Sequence, residues 1–366
     1  MRAGNVFSRL GNEETEIFKD ERVLMPDYLP EVLPHREKEI EGIALALKPA
    51  ARGKRTEGLF IHGPPGSGKT ACVRYVLEHL KEYTQRAVPI YINCWETSTR
   101  HGILSTIATA LGEILPRRGI ATDEITERIV GAIRREGKLP VVALDEADRL
   151  FASQYEEERI VYDLVRACEV FSVNFGTIII TNKKEILIKL DERIRSSLAQ
   201  RQVEFKRYGP DELKDILRER ARMAFHPNTV DDESIALCAA YAAKNGGDAR
   251  LAINCLWKAG RIAEAGTSGK VRIEDVRKAF LDVSAELEKR KNGMLDETSK
   301  RIIEVLRERG EIKSGELYSL IKENDRTIRN HLKKLERLGM IETVLVKEGR
   351  GKTRIIRIKR TLFSQV

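Results

Sequence analysis

Eight residues, Gly63-Pro64-Pro65-Gly66-Ser67-Gly68-Lys69-Thr70, have the spacing of a phosphate-binding loop. They stand between an apolar run, Gly58-Leu59-Phe60-Ile61, and a helix-forming stretch at 71–80. That placement commits this part of the chain to a strand–loop–helix unit, the one context in which the loop's N–H groups and the following helix converge on a single anion. Glycines at 63, 66 and 68 let the backbone wrap phosphate closely. Lys69 is placed to reach the β- and γ-phosphates, Thr70 to offer its hydroxyl to Mg²⁺, and the helix opening at Ala71 to add the positive end of its dipole. A chance glycine-rich turn is the bland alternative, and it leaves the flanking strand and helix unexplained.

Short β-branched runs recur at 87–92, 140–144 and 176–181, separated by amphipathic stretches. This alternation predicts a mostly parallel sheet covered on both faces, with ligands beyond the carboxyl ends of the strands. One run, Val141-Val142-Ala143-Leu144, delivers Asp145 and Glu146 at that edge. Asp145 suits a Mg²⁺-orienting role and Glu146 that of a general base polarising water. Asn182, at the tip of the 176–181 run, is a candidate contact to a γ-phosphate or its attacking water; a loop-initiating Asn is the alternative. From 209 to 290 the strand signals stop and helical periodicity takes over. There Asp248 is the expected N-cap of a helix, and Arg250 in its first turn opposes the helix dipole, which points it at something negative.

A length of 366 residues suggests two or three domains. The five cysteines are odd in number, widely spaced and read as reduced core residues. No leader-like or membrane-spanning run is evident, so a cytoplasmic, nucleoid-associated protein without a membrane partner is expected. Trp95 and Trp257 read as core anchors. The net charge of +9 sits in the last segment: residues 326–366 hold twelve Lys/Arg against three acids, and the remainder is about neutral. A helix capped by Asn324 or Asp325 buries Ile328, Leu332 and Leu335, leaving Arg326, Thr327, Arg329, Asn330 and Lys333 on or near its open face. These types suit a DNA major groove. Two strands, 341–346 and 353–358, are joined by a basic hairpin whose Arg350 and Lys352 suit a wing against double-stranded DNA.

Taken in order, these pieces resemble an AAA+ ATPase: Walker A at 63–70, Walker B at 141–146, a first sensor at Asn182, and a second at Arg250 in a helical lid. With Leu33-Pro34-His35-Arg36-Glu37, Gly247-Asp248-Ala249-Arg250 and a terminal winged helix, the chain resembles the archaeal replication-initiator family related to the origin recognition complex and its helicase-loading partner. The resemblance implies an α/β fold: a tail at 1–22, an AAA+ parallel-sheet base at 23–207, a helical lid at 208–290 and a C-terminal winged-helix domain at 295–366. It implies ATP or ADP with Mg²⁺ as cofactors, with Pro34, His35, Arg36 and Tyr208 near the adenine. It places Arg100, Arg117 and Arg118, in an insertion after Cys94, on DNA. The implied function is ATP-regulated binding of origin DNA and recruitment of a replicative helicase or another initiator subunit. The alternative is a transcriptional regulator with a structural nucleotide site. Many AAA+ relatives carry an arginine at the place of Ser197; here Arg193, and after it Arg195, are the candidate fingers, and slow turnover is expected.

Overall fold

The computed structural model describes residues 16–116, 119–152, 157–198, 200–266, 269–293, 295–321, 323–337, 339–348 and 351–358. The chain divides into two compact units, Met1–Val276 and Arg277–Val366.

In the first unit α1 (Glu37–Leu47) leads to β1 (Leu59–His62), the phosphate loop and α2 (Lys69–Tyr83). Then come β2 (Ala87–Asn93), the helical pair α3 (Arg100–Ala110) and α4 (Thr122–Glu136), β3 (Leu139–Asp145) and α5 (Arg159–Phe171). β4 (Gly176–Thr181), the short α6 (Ile186–Lys189) and α7 (Glu192–Leu198), and β5 (Arg201–Glu204) complete the base. All five strands are parallel, in the order β2-β3-β4-β1-β5. Strand alternation splits the core in two. Phe60, Val142, Leu144 and Ile179 pack with α3, α4 and α5, whereas Leu59, Ile61, Val141, Ala143, Ile178 and Ile180 pack with α1 and α2. β3 is buried along its whole length, as a central strand covered on both faces must be.

The lid is α8 (Pro210–Ala224), α9 (Asp232–Lys244) and α10 (Ala249–Glu264), and it falls in the same unit as the base. Residues 16–22, read from sequence as the end of a polar tail, are instead part of the lid's packing. Ile17 is fully buried, the Phe18 and Phe225 rings lie 4.7 Å apart, and Glu21 accepts from the Trp257 indole and pairs with Arg261.

The division between units falls within α11 (Ile273–Gly293). Beyond it lie α12 (Glu297–Arg309), β6 (Glu311–Lys313), α13 (Ser314–Leu320), α14 (Asp325–Arg337), β7 (Ile341–Glu348) and β8 (Gly351–Ile358). The three strands form an antiparallel sheet ordered β6-β8-β7 around a core that includes Ile302, Leu306, Leu317, Ile328, Leu335 and Ile356. This is a winged helix, and the base with its lid is an AAA+ module.

Candidate functional site

β1 brings the chain to Gly63, where a side chain has no room: a Cβ would stand 2.3 Å from the Phe205 carbonyl oxygen. The Ser67 hydroxyl donates back to the Pro64 carbonyl, folding the loop on itself before α2 begins at Lys69. Lys69 is only 7% exposed. Its ammonium donates to the Gly63 and Pro64 carbonyls at 2.9 and 2.8 Å and to Oδ1 of Asn182 at 2.8 Å. Burial brings its pKa down to about 8, against the upward pull of Asp145 and Glu146. The other end of the Asn182 amide donates to Glu146 Oε2 at 2.8 Å. One side chain therefore joins the loop cation to the candidate base, and β4 puts it there by lying between β3 and β1.

Asp145 closes β3 and is 3% exposed. Its Oδ2 accepts from the Thr70 hydroxyl at 2.6 Å and the Tyr91 hydroxyl at 2.8 Å, while Oδ1 accepts from the Glu146 N–H at 2.8 Å. Tyr91 is a site residue that sequence reasoning missed. It sits on β2 opposite Ala143, and its alternation with Ile90 and Ile92 reads simply as strand. Burial, and then the Asp145 charge, push its phenol far above the ordinary range, so it stays a donor to the carboxylate. Glu146 has φ 52, the left-handed region, which turns its side chain away from the strand direction. Burial, followed by the charges of Asp145 and Asp148, raises its carboxyl above the usual value, with Lys69 and Arg250 opposing. A carboxylate tuned upward accepts a proton from water more readily.

The residues upstream of the loop reach it from beside α1. Arg36 is buried; its guanidinium donates to the Ser67 carbonyl at 2.9 Å and the Lys206 carbonyl at 2.8 Å, and lies 3.9 Å from the centre of the Tyr208 ring. Tyr208 is buried too, and its hydroxyl would meet a Cβ on Gly68 at 2.6 Å. His35, at φ 63, contacts the Asp215 carboxylate of α8 at 3.0 Å, and Pro34 beside it is half-buried. Pro65 is exposed, and Gly63, Pro64, Thr70 and Ala71 are half-buried along the same rim. From the lid, Asp248 caps α10 by accepting from the Arg250 N–H, and the exposed Arg250 guanidinium lies 3.5 Å from the same carboxylate.

Of the basic candidates, Arg100 opens α3, but its side chain is committed to Asp163 of α5. Arg117, Arg118 and Arg350 lie outside the described residues. Arg193 falls in α7 and Lys352 in β8, opposite Lys347. In the second unit, Asn324 rather than Asp325 caps α14, accepting from the Thr327 N–H. Ile328, Leu332 and Leu335 are buried; Arg326, Arg329, Asn330 and Lys333 are exposed and Thr327 half-buried, as the helix period required. Neighbouring Lys334 and His331 turn back to Asp296, the cap of α12. Trp95 corrects the expectation of a core anchor: it is 61% exposed, beneath the Arg149 guanidinium at 3.9 Å. It follows β2 at the sheet's carboxyl edge, where the core has ended.

Among the described residues no cluster of three His, Cys, Asp or Glu is placed to hold a metal, and no helix is long and apolar enough to cross a membrane. Residues 53–186 match the family model of an AAA domain and residues 214–281 that of a Cdc6 AAA+ ATPase-type lid domain. The chain is 34% identical to ORC1-type DNA replication protein 1 of Sulfurisphaera tokodaii, covering 94% of this chain and 90% of that one. It is likewise 34% identical to ORC1-type DNA replication protein 1 of Archaeoglobus fulgidus, covering 97% and 91%. Among solved structures it is similar to the Aeropyrum pernix ORC1 protein in complex with DNA, with a TM-score of 0.77, 31% identity and 94% of each chain covered. Identity at this level along nearly the whole of each chain means that this protein belongs to the ORC1-type DNA replication protein family, the archaeal ORC1/Cdc6 AAA+ initiators.

Proposed function

We propose that the chain is an ATP-regulated initiator that grips double-stranded origin DNA and helps recruit the replicative helicase, hydrolysing ATP slowly. The observation that carries this reading is the linked set Lys69–Asn182–Glu146 with Thr70–Asp145, an assembled phosphate-transfer geometry in a chain whose α14 carries a basic, exposed face. Lys69 and the loop N–H groups would bind the phosphates, Glu146 would take a proton from water, and Asn182 would hold both in register. The residues present fit Mg²⁺: a hydroxyl and a carboxylate oxygen lie side by side, and Mg²⁺ keeps its remaining ligands as water and substrate phosphate. Bound there, the ion would neutralise charge on the phosphates, with Thr70 and Asp145 as its protein partners. Arg36 and Tyr208 would border the adenine, and Arg250 would reach the phosphates from the lid.

Slow turnover follows from Ser197, which stands where many AAA+ relatives carry an arginine: a finger in trans would fall to Arg193, and after it to Arg195. Arg326, Arg329, Asn330 and Lys333, with the wing residues Arg350 and Lys352, would read DNA in a domain running from 295, while the base ends near 207 and the lid near 290. The Aeropyrum pernix ORC1 protein, solved with DNA, supports the DNA reading by likeness. Genome-wide footprinting with ATP and with ADP tests it. Nucleotide-dependent protection of repeated elements beside replication starts is expected; protection of promoters alone would replace this function with transcriptional regulation.

A further inference from the structure

The lid touches the phosphate loop through a residue of the wrong charge. A Cβ placed on Gly66 would lie 1.8 Å from Oδ1 and 2.7 Å from Oδ2 of Asp248, so the carboxylate rests directly on the loop. Beside it the Ala249 N–H donates to the Gly66 carbonyl at 3.1 Å, seating the start of α10 on the same residue. Helix capping alone requires no such contact: Asp231 and Asp296 cap α9 and α12 by accepting N–H groups of their own helices. We infer that Asp248 is a charged latch, closing the lid onto Gly66 and weakening the loop's hold on nucleotide phosphates in proportion to their charge. This rests on the nucleotide-binding reading above.

The loop gathers N–H donors and the Lys69 ammonium to hold an anion, and Asp248 adds a fixed negative charge at its crest. Lys69 registers the Asp248 charge as stabilising and the Arg250 charge as destabilising. In the closed arrangement Arg250, 3.5 Å away, offsets the carboxylate. Phosphate entering the loop competes for that guanidinium. The competition leaves Asp248 uncompensated beside an anion, and the repulsion grows with each added phosphate charge. Gly246 and Gly247, at φ 110 and 67, lie immediately before the latch in a backbone conformation that favours glycine. The latch therefore narrows the advantage that ATP would otherwise hold over ADP.

The test is Asp248→Asn in the full chain, because Asn keeps the cap and the seat on Gly66 while removing the charge. Affinities for Mg-ATP and Mg-ADP are measured by calorimetry beside the wild-type chain, with melting curves for both proteins. ATP is expected to bind about tenfold tighter and ADP about threefold tighter in the variant, at unchanged melting temperature. Unchanged or weaker binding in a normally melting variant overturns the latch. Should the Asn variant melt early, Asp248→Ser, also a good cap and neutral, repeats the comparison. A wild-type chain that holds neither nucleotide sinks the site reading and the latch with it; a wild-type chain that binds, with a variant that binds no tighter, sinks the latch alone.

Discussion

Lys69 is held in a place that penalises its charge, and Lys69→Met exposes the size of that penalty. The fall of its pKa from the ordinary 10.5 to about 8 corresponds to about 3 kcal/mol of unfavourable burial when the amine is protonated. Met fills similar volume without charge, but it strands two acceptors, the Gly63 carbonyl and Asn182 Oδ1, while the Pro64 carbonyl keeps the Ser67 hydroxyl as its donor. Each costs about 1 kcal/mol unpaired, about 2 kcal/mol together, which offsets most of the gain from removing the charge near neutral pH. The pH dependence separates them. Between about 8 and 10.5 the unfolded chain retains the Lys69 proton that the folded chain has lost. Wild-type stability therefore rises with pH through that window, by up to about 1.4 kcal/mol per pH unit, and the variant lacks this contribution. Urea unfolding, followed by Trp95 and Trp257 fluorescence at several pH values, should show wild type gaining about 3 kcal/mol on the variant between about pH 7 and pH 10.5. Parallel curves would mean that Lys69 titrates as if in water, and the burial reasoning would be refuted.

Tyr91→Phe removes one of the two side-chain donors to Asp145; nucleotide affinity in Mg²⁺ is expected to fall about tenfold, with affinity in chelator unchanged. Calorimetry under both conditions checks this, and equal losses would make Tyr91 a packing residue. Leu335→Ala empties a fully buried position in the winged-helix core and should cost about 2–5 kcal/mol in that unit, read by denaturant melting of the full chain. Asp296→Ala removes the α12 cap together with its pairs to Lys334 and His331. Burial raises the Asp296 carboxyl, but Lys334 and the Ser299 N–H outweigh it and hold the group well below the carboxylate range. Its contribution, about 1 kcal/mol for a cap, should be complete at neutral pH and lost only as pH falls below the ordinary carboxylate value, so melting curves of variant and wild type should converge in strong acid.

Four sheet strands were legible to within a residue: β1, β3 and β4 are buried along their whole length and write themselves as apolar runs, and the edge strand β2 still carries Val88, Ile90, Tyr91 and Ile92. β5, Arg201-Gln202-Val203-Glu204, was not: it is four residues long, no residue of it is fully buried, and Val203 is its one apolar side chain. β6, three residues long, escaped because it is shorter still. Lys69, Thr70, Asp145, Glu146 and Asn182 were legible because their motifs encode local backbone geometry. Tyr91, the seat of Asp248 on Gly66, the Arg100–Asp163 pair and the docking of Phe18 on Phe225 were not. Each joins side chains far apart in sequence, and no period or spacing marks one partner for the other.

The strand order has a consequence during translation. β1, which carries the phosphate loop, lies between β4 and β5, with Leu59 aligned to Ile178 on one side and Arg201 on the other. A nascent chain that has cleared the ribosome only as far as β3 can zip β2 to β3, but its β1 has no neighbour on either edge. β1 gains its first neighbour only with β4, ending at Thr181, and its second only with Glu204, so the sheet around the phosphate loop, though that loop is encoded early, is complete only after more than half of the chain has been made.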